Sequence, residues 1–96
     1  MHAVIRSYAG QGASELFDLI EKRSDEVKDI IGSVPGFVSY AAFRTQDGGS
    51  TVTVCQDRSG TDESSQRAAA WVKENMTSPP GAPQIIEGEA VAQLNA

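Results

Sequence analysis

The chain is predicted to fold as a single α+β domain, residues 1–96, with the element order β-α-β-β-α-β, and two observations carry that expectation. The hydrophobic period alternates along the chain between about 2 and about 3.6 residues, and each change falls at a cluster of Gly, Pro, Asp or Ser. Hydrophobic residues make up 40% and charged residues 22% of the 96. That balance is ordinary for a globular domain, and the length buries a modest core without disulfide or metal staples.

From His2 to Tyr8 the sequence is short, partly β-branched and closed by Gly10-Gln11-Gly12, which reads as a first strand entering a turn. Ala13 to Ile31 reads as one amphipathic helix. Leu16, Phe17, Ile20, Val27, Ile30 and Ile31 share a face, while Glu21, Lys22, Asp25, Lys28 and Asp29 lie opposite. Ser14 is the expected N-cap, Glu15 and Asp18 place negative charge on the first turn, and Gly32 with Pro35 ends the helix. Gly36 to Gln46 follows as a strand with two apolar faces, Phe37, Ala41 and Phe43 alternating with Val38, Tyr40 and Ala42.

Gln46-Asp47-Gly48-Gly49 offers an Asp-Gly pair for a tight hairpin, with Thr51 to Cys55 as the return strand. Thr61 to Met76 reads as the second helix, capped by Thr61 or Ser59, with Ala68, Ala69, Val72 and Met76 as its apolar stripe. The run from Thr77 to Pro83 contains Pro79, Pro80 and Pro83 and is expected to be an extended connector. Ile85 to Leu94 closes the chain as a last strand, with Ile86, Ala90, Ala92 and Leu94 on one face.

Two crossovers of this kind place both helices on one side of a four-stranded antiparallel sheet. The second strand is apolar on both faces, so the side without helices needs a cover, and the simplest is the same face of a second copy. A homodimer is therefore expected.

The net charge of -5 and isoelectric point near 4.6 give no general attraction for phosphate, so neither nucleic acid nor an anionic membrane is an expected partner. The single cysteine, Cys55, sits in a β-branched run, forms no internal disulfide and reads as a small core residue in a reducing, cytoplasmic setting. No basic segment followed by a long apolar stretch opens the chain, and no run is apolar enough to span a bilayer. With one histidine and one cysteine, a zinc or iron site made by one chain is not expected. His2, the second residue, is expected to fray, which argues against His-dependent hydrolysis. Gly10-Gln11-Gly12 lacks the longer phosphate-loop pattern and reads as an ordinary turn.

The residues left to line a pocket between sheet and helices are Tyr8, Tyr40, Trp71, Asn75, Arg6 and Arg44. Trp71 is the most informative, since an indole beside the apolar stripe packs on the sheet while its N–H seeks an acceptor. The same residue is also what a plain core would use, and Arg6 and Arg44 equally suit solvated strand ends or interface salt bridges.

The whole pattern resembles the antibiotic biosynthesis monooxygenase family, small dimeric α+β barrels with a ferredoxin-like fold in each subunit. The features that carry the resemblance are the first strand, the helix ending in Val34-Pro35-Gly36-Phe37, the strand Val38 to Arg44, the turn Gln46-Asp47-Gly48, the strand Thr51 to Gln56, and a second helix bearing Trp71. The resemblance implies either oxygenation of quinols or anthrones with no metal or flavin, or haem degradation. In the first case a bound phenol loses a proton and its carbanion-like form reduces dioxygen, the protein supplying a dry pocket, donors and orientation. Trp71 is the position carried over as pocket-lining; Tyr8, Tyr40, Arg44 and Asn75 are candidates from their positions alone. Haem degraders use an axial histidine on a helix, and neither helix here has one. No cofactor is expected. The alternative is a non-catalytic dimeric barrel that binds a small ligand or a partner protein, favoured by a pocket filled with side chains.

Overall fold

A computed structural model describes residues 1–95. The elements run β1 (His2–Ala9), α1 (Ala13–Lys22), α2 (Ser24–Gly32), β2 (Phe37–Thr45), β3 (Gly48–Cys55), α3 (Arg58–Asn75) and β4 (Gln84–Glu89). The strands form one antiparallel sheet in the order β2-β3-β1-β4, and the helices lie on one face of it. This is the ferredoxin-like α+β arrangement that the sequence predicts.

The expected first helix is two helices, broken at Arg23, whose φ of -115° and ψ of 36° lie outside the helical range. The reason is local. Ser24, Asp25 and Glu26 favour a new first turn over a helix interior, because their short or acidic side chains suit free backbone N–H groups. Ser14 is not the cap of α1: Gly12 holds that position at a φ of 88°, and among the expected acidic residues only Glu15 falls in the first turn. A side chain at Gly12 would meet the Pro80 nitrogen at 3.0 Å, so the start of α1 and the proline connector pack backbone to backbone.

The hairpin is tighter than expected. Thr45 pairs with Gly48, which leaves Gln46 and Asp47 as the turn and starts β3 at Gly48. Gly49 lies under α1, where an added Cβ would stand 2.6 Å from the Phe17 ring.

The cap of α3 is Asp57, which accepts from the Gly60 N–H at 3.3 Å, so Ser59 and Thr61 lie inside the helix. Its buried stripe is Gly60, Thr61, Ser64 and Trp71, whereas Ala69 is exposed and Ala68, Val72 and Met76 are partly buried. The sheet beneath presents Arg6, Thr51 and Thr53, whose polar atoms need hydroxyl partners more than methyl groups.

The last strand ends at Glu89, not Leu94, because its partner ends first: Glu89 lies opposite His2. One further bond, from the Ala90 N–H to the Met1 carbonyl at 2.7 Å, closes the ladder. Ala90, Ala92 and Leu94 therefore lie beyond the strand, with Leu94 exposed. His2 is not frayed. It is 7% exposed, with Nδ1 2.7 Å from the Thr61 hydroxyl and Nε2 3.6 Å from a Glu87 oxygen.

The core between helices and sheet consists of Tyr8, Ala13, Leu16, Phe17, Val27, Ile31 and Trp71. By strand alternation and register, the opposite face carries Ile5, Val52, Val54, Ala41, Phe43 and Ile86. Phe43 and Ile86 there are 48% and 59% exposed.

Candidate site between the sheet and the helices

The alternation of β1 puts Val4, Arg6 and Tyr8 on the helix-facing side, so Arg6 enters the interior instead of ending in solvent. It is 2% exposed. Every hydrogen bond of its side chain goes to a hydroxyl: Nε donates to Thr51 at 3.2 Å, Nη1 to Ser64 at 3.3 Å and Ser65 at 2.9 Å, and Nη2 to Thr53 at 2.9 Å. Among the described residues no carboxylate pairs with it. Burial pulls its pKa below the usual arginine value, although a guanidinium remains charged across the ordinary pH range.

Tyr8 and Tyr40 flank this charge. Burial raises both phenol pKa values above the ordinary 10.0, with Arg6 acting in the opposite direction. They are therefore neutral at physiological pH and present O–H donors, not bases. Tyr8 packs edge-on against Phe17, ring centroids 6.1 Å apart at 64°. Tyr40 reaches the same region from β2, where it pairs with Thr53.

Trp71 closes the space from α3. Its indole N–H donates to Glu26 at 2.9 Å, and the Arg23 guanidinium stands 5.5 Å from the ring centroid. Arg23 also makes a forked ion pair with Glu26 and donates to the Asn75 side-chain oxygen at 2.6 Å. The Asn75 amide in turn donates to the Trp71 carbonyl at 2.8 Å. The indole bond and Arg23 hold the Glu26 carboxyl below its usual pKa.

Arg6, Tyr8, Tyr40 and Trp71 thus converge on one cavity of about 30 Å³, otherwise walled by aliphatic side chains. That volume suits about one water molecule. Arg6, Tyr8 and Val72 also form the inner wall of a larger cleft, about 310 Å³, roofed by Pro79 to Pro83. The structure places the other two candidates elsewhere. Arg44 is exposed on β2, bonded to Asp18 at 2.8 Å and Glu21 at 3.0 Å, at a separate cleft of about 270 Å³. Asn75 lines neither space and joins the clasp around the indole.

Sequence reasoning missed the hydroxyl set Thr51, Thr53, Ser64 and Ser65. A signal was present: Thr51 and Thr53 share a face of β3, and Ser64 and Ser65 sit three and four residues after Thr61 on α3.

The sheet order and the one-sided helices define a ferredoxin-like α+β protein with a candidate site between its two layers. No family model and no curated protein matches the chain. Solved structures do match it. A monooxygenase of Streptomyces coelicolor, solved with the ligand nanaomycin D, has a TM-score of 0.66 and 18% identity over 99% of this chain and 91% of its own. The heme-degrader MhuD of Mycobacterium tuberculosis, with two hemes in its active site, has a TM-score of 0.68 and 18% identity over 99% and 100%. SnoaB of Streptomyces nogalater, a cofactor-independent oxygenase, has a TM-score of 0.58 and 15% identity over 99% and 97%. At these identities the likeness is one of fold.

Proposed function

We propose that this protein binds a small, electron-rich aromatic compound of the quinol or anthrone kind between its sheet and helices and oxygenates it without a cofactor. The observation that carries this reading is the convergence of Trp71, Tyr8, Tyr40 and Arg6 on one largely apolar cavity. The fold likeness to a cofactor-independent oxygenase and to a monooxygenase solved with nanaomycin D supports it.

The adjoining cleft of about 310 Å³ admits the ligand, being at the lower end of the roughly 300–1,000 Å³ that small-molecule sites occupy. Arg6 supplies the positive charge that favours an ionised ligand oxygen, and the neutral tyrosines supply O–H donors. In an anthrone the substrate itself is the reductant. Its CH₂ group becomes a carbonyl, one atom of dioxygen enters that carbonyl, and the other leaves as water with the two hydrogens.

A second copy of the chain covers the open sheet face in this proposal, because Ile5, Val52, Phe43 and Ile86 form an apolar surface there. The buried, unpaired Cys55 suits a cytoplasmic setting. The small volume beside Trp71 favours one alternative, a non-catalytic barrel that holds the ligand only in the outer cleft.

Dioxygen consumption with anthrone as substrate separates the two. Uptake of one dioxygen per anthrone, with isotopic oxygen in the new carbonyl and a marked fall in the Trp71→Phe variant, supports oxygenation. Saturable anthrone binding with no uptake above the buffer rate establishes the non-catalytic reading instead.

A further inference from the structure

We infer that the cleft under the proline connector is built for an anion, so that the ligand is a flat apolar acid whose ionised oxygen pairs with Arg6. This rests on the aromatic-ligand reading above and goes further by assigning the ligand's charge.

The first observation is the isolation of Arg6. A guanidinium that is 2% exposed would ordinarily sit against a carboxylate, because a buried charge without a counter-charge is costly. Here its acceptors are the hydroxyls of Thr51, Thr53, Ser64 and Ser65. These satisfy N–H groups without neutralising the charge. A guanidinium has five N–H donors, and the four bonds leave one on Nη2 with no protein acceptor among the described residues. Neither neighbouring tyrosine is ionised, so neither serves as the missing anion.

The second observation is the composition of the cleft wall. Asp and Glu account for 13 of the 96 residues, yet none of them lines this cleft, while Arg6 stands at its inner end and Lys73 contributes a second cation. In a chain of net charge -5, a cleft with two cations and no carboxylate stands apart from the rest of the surface. The remaining wall, Val72, Ile85 and the prolines, is apolar and suits a flat hydrocarbon body. An aromatic carboxylate or an acidic enol fits both halves: its oxygen on Arg6, its rings under the connector, and a second polar substituent within reach of Lys73.

The test uses naphthoate and its uncharged amide, two probes of the same shape, titrated into the full chain by calorimetry, with amide NMR shifts locating the site. Naphthoate is expected to bind at least about tenfold more tightly than the amide, as one charge-assisted hydrogen bond in a buried site provides. The shifts are expected at Ser65, Val72 and Lys73. Arg6→Gln is expected to abolish the preference. Because that variant disturbs a buried network, Lys73→Gln at the exposed side of α3 is the second variant: it removes the cleft's other positive charge and is expected to narrow the preference for naphthoate over the amide.

Equal affinity for the two probes in the cleft overturns the acid preference and leaves the aromatic-ligand reading standing. Shifts confined to the open sheet face overturn the cleft assignment. Failure of both probes to bind overturns the inference and the reading beneath it.

Discussion

Arg6 shows how a single side chain changes the character of an interior. Its alternation partners Val4 and Tyr8 mark its strand face as inward, yet arginine is so seldom buried that composition alone points it to solvent. The inward reading required the hydroxyl set, which lies on two other elements and is joined only by the fold. That Trp71 packs toward the sheet was legible, because an indole beside an apolar stripe turns inward. Its partners Glu26 and Arg23 were not, since they lie across a helix break that the hydrophobic period does not register.

Two expectations belong to this scale. Trp71→Phe keeps most of the ring packing and loses the N–H bond to Glu26, so chemical denaturation is expected to show a loss of about 1–2 kcal/mol. The tyrosines, Tyr8 and Tyr40, are expected to titrate above 10 in the folded protein. A phenol whose folded pKa is raised ionises first in the unfolded chain, so this contribution to stability is full below the unfolded pKa and is lost as pH rises through and beyond it. Absorbance titration of tyrosinate measures the effect, and two ordinary midpoints would refute it.

At the scale of the element, the strands, hairpin and second helix followed from period and turn residues, and the errors lay at their ends. The helix split and the Asp57 cap both arise from short polar side chains competing for backbone N–H groups, an effect that hydrophobic patterning does not capture. Asp57→Ala is expected to destabilise the fold by about 1 kcal/mol, read by thermal or chemical unfolding. Gly49→Ala is expected to cost about 1–3 kcal/mol, because its Cβ would stand 2.6 Å from the Phe17 ring and force that buried side chain aside.

The acidic caps and clasps also fix a direction for pH. Glu26 and Asp57 have folded pKa values below the ordinary 4.5 and 3.8, held there chiefly by the Trp71 indole and by the Ser59 hydroxyl respectively. Their stabilising effect is complete above those ordinary values and is lost as pH falls through the lower folded ones.

At the scale of the molecule, the four-stranded antiparallel sheet and the one-sided helices were readable because β-α-β-β-α-β allows few arrangements once crossovers are right-handed. The small size of the cavity beside Trp71 was not, since volume depends on how Leu16, Ile20 and Ile31 interdigitate, which no pattern encodes. The open face makes a clear expectation of its own. Ile86→Glu places a charge at the edge-strand end of the apolar row, opposite Ile5, and is expected to convert the proposed dimer into a folded monomer in sedimentation. An unaltered sedimentation coefficient would mean that a second copy does not cover this face.

The cleft of about 310 Å³ proposed to hold the ligand shares Arg6, Tyr8 and Val72 with the small cavity that Trp71 lines, so the chain's single tryptophan reports on its occupancy. Fluorescence titration of the intact protein with anthrone is expected to show saturable quenching of Trp71. Emission that stays constant through the solubility limit of anthrone would contradict ligand binding beside Trp71 and leave that side chain as a core residue alone.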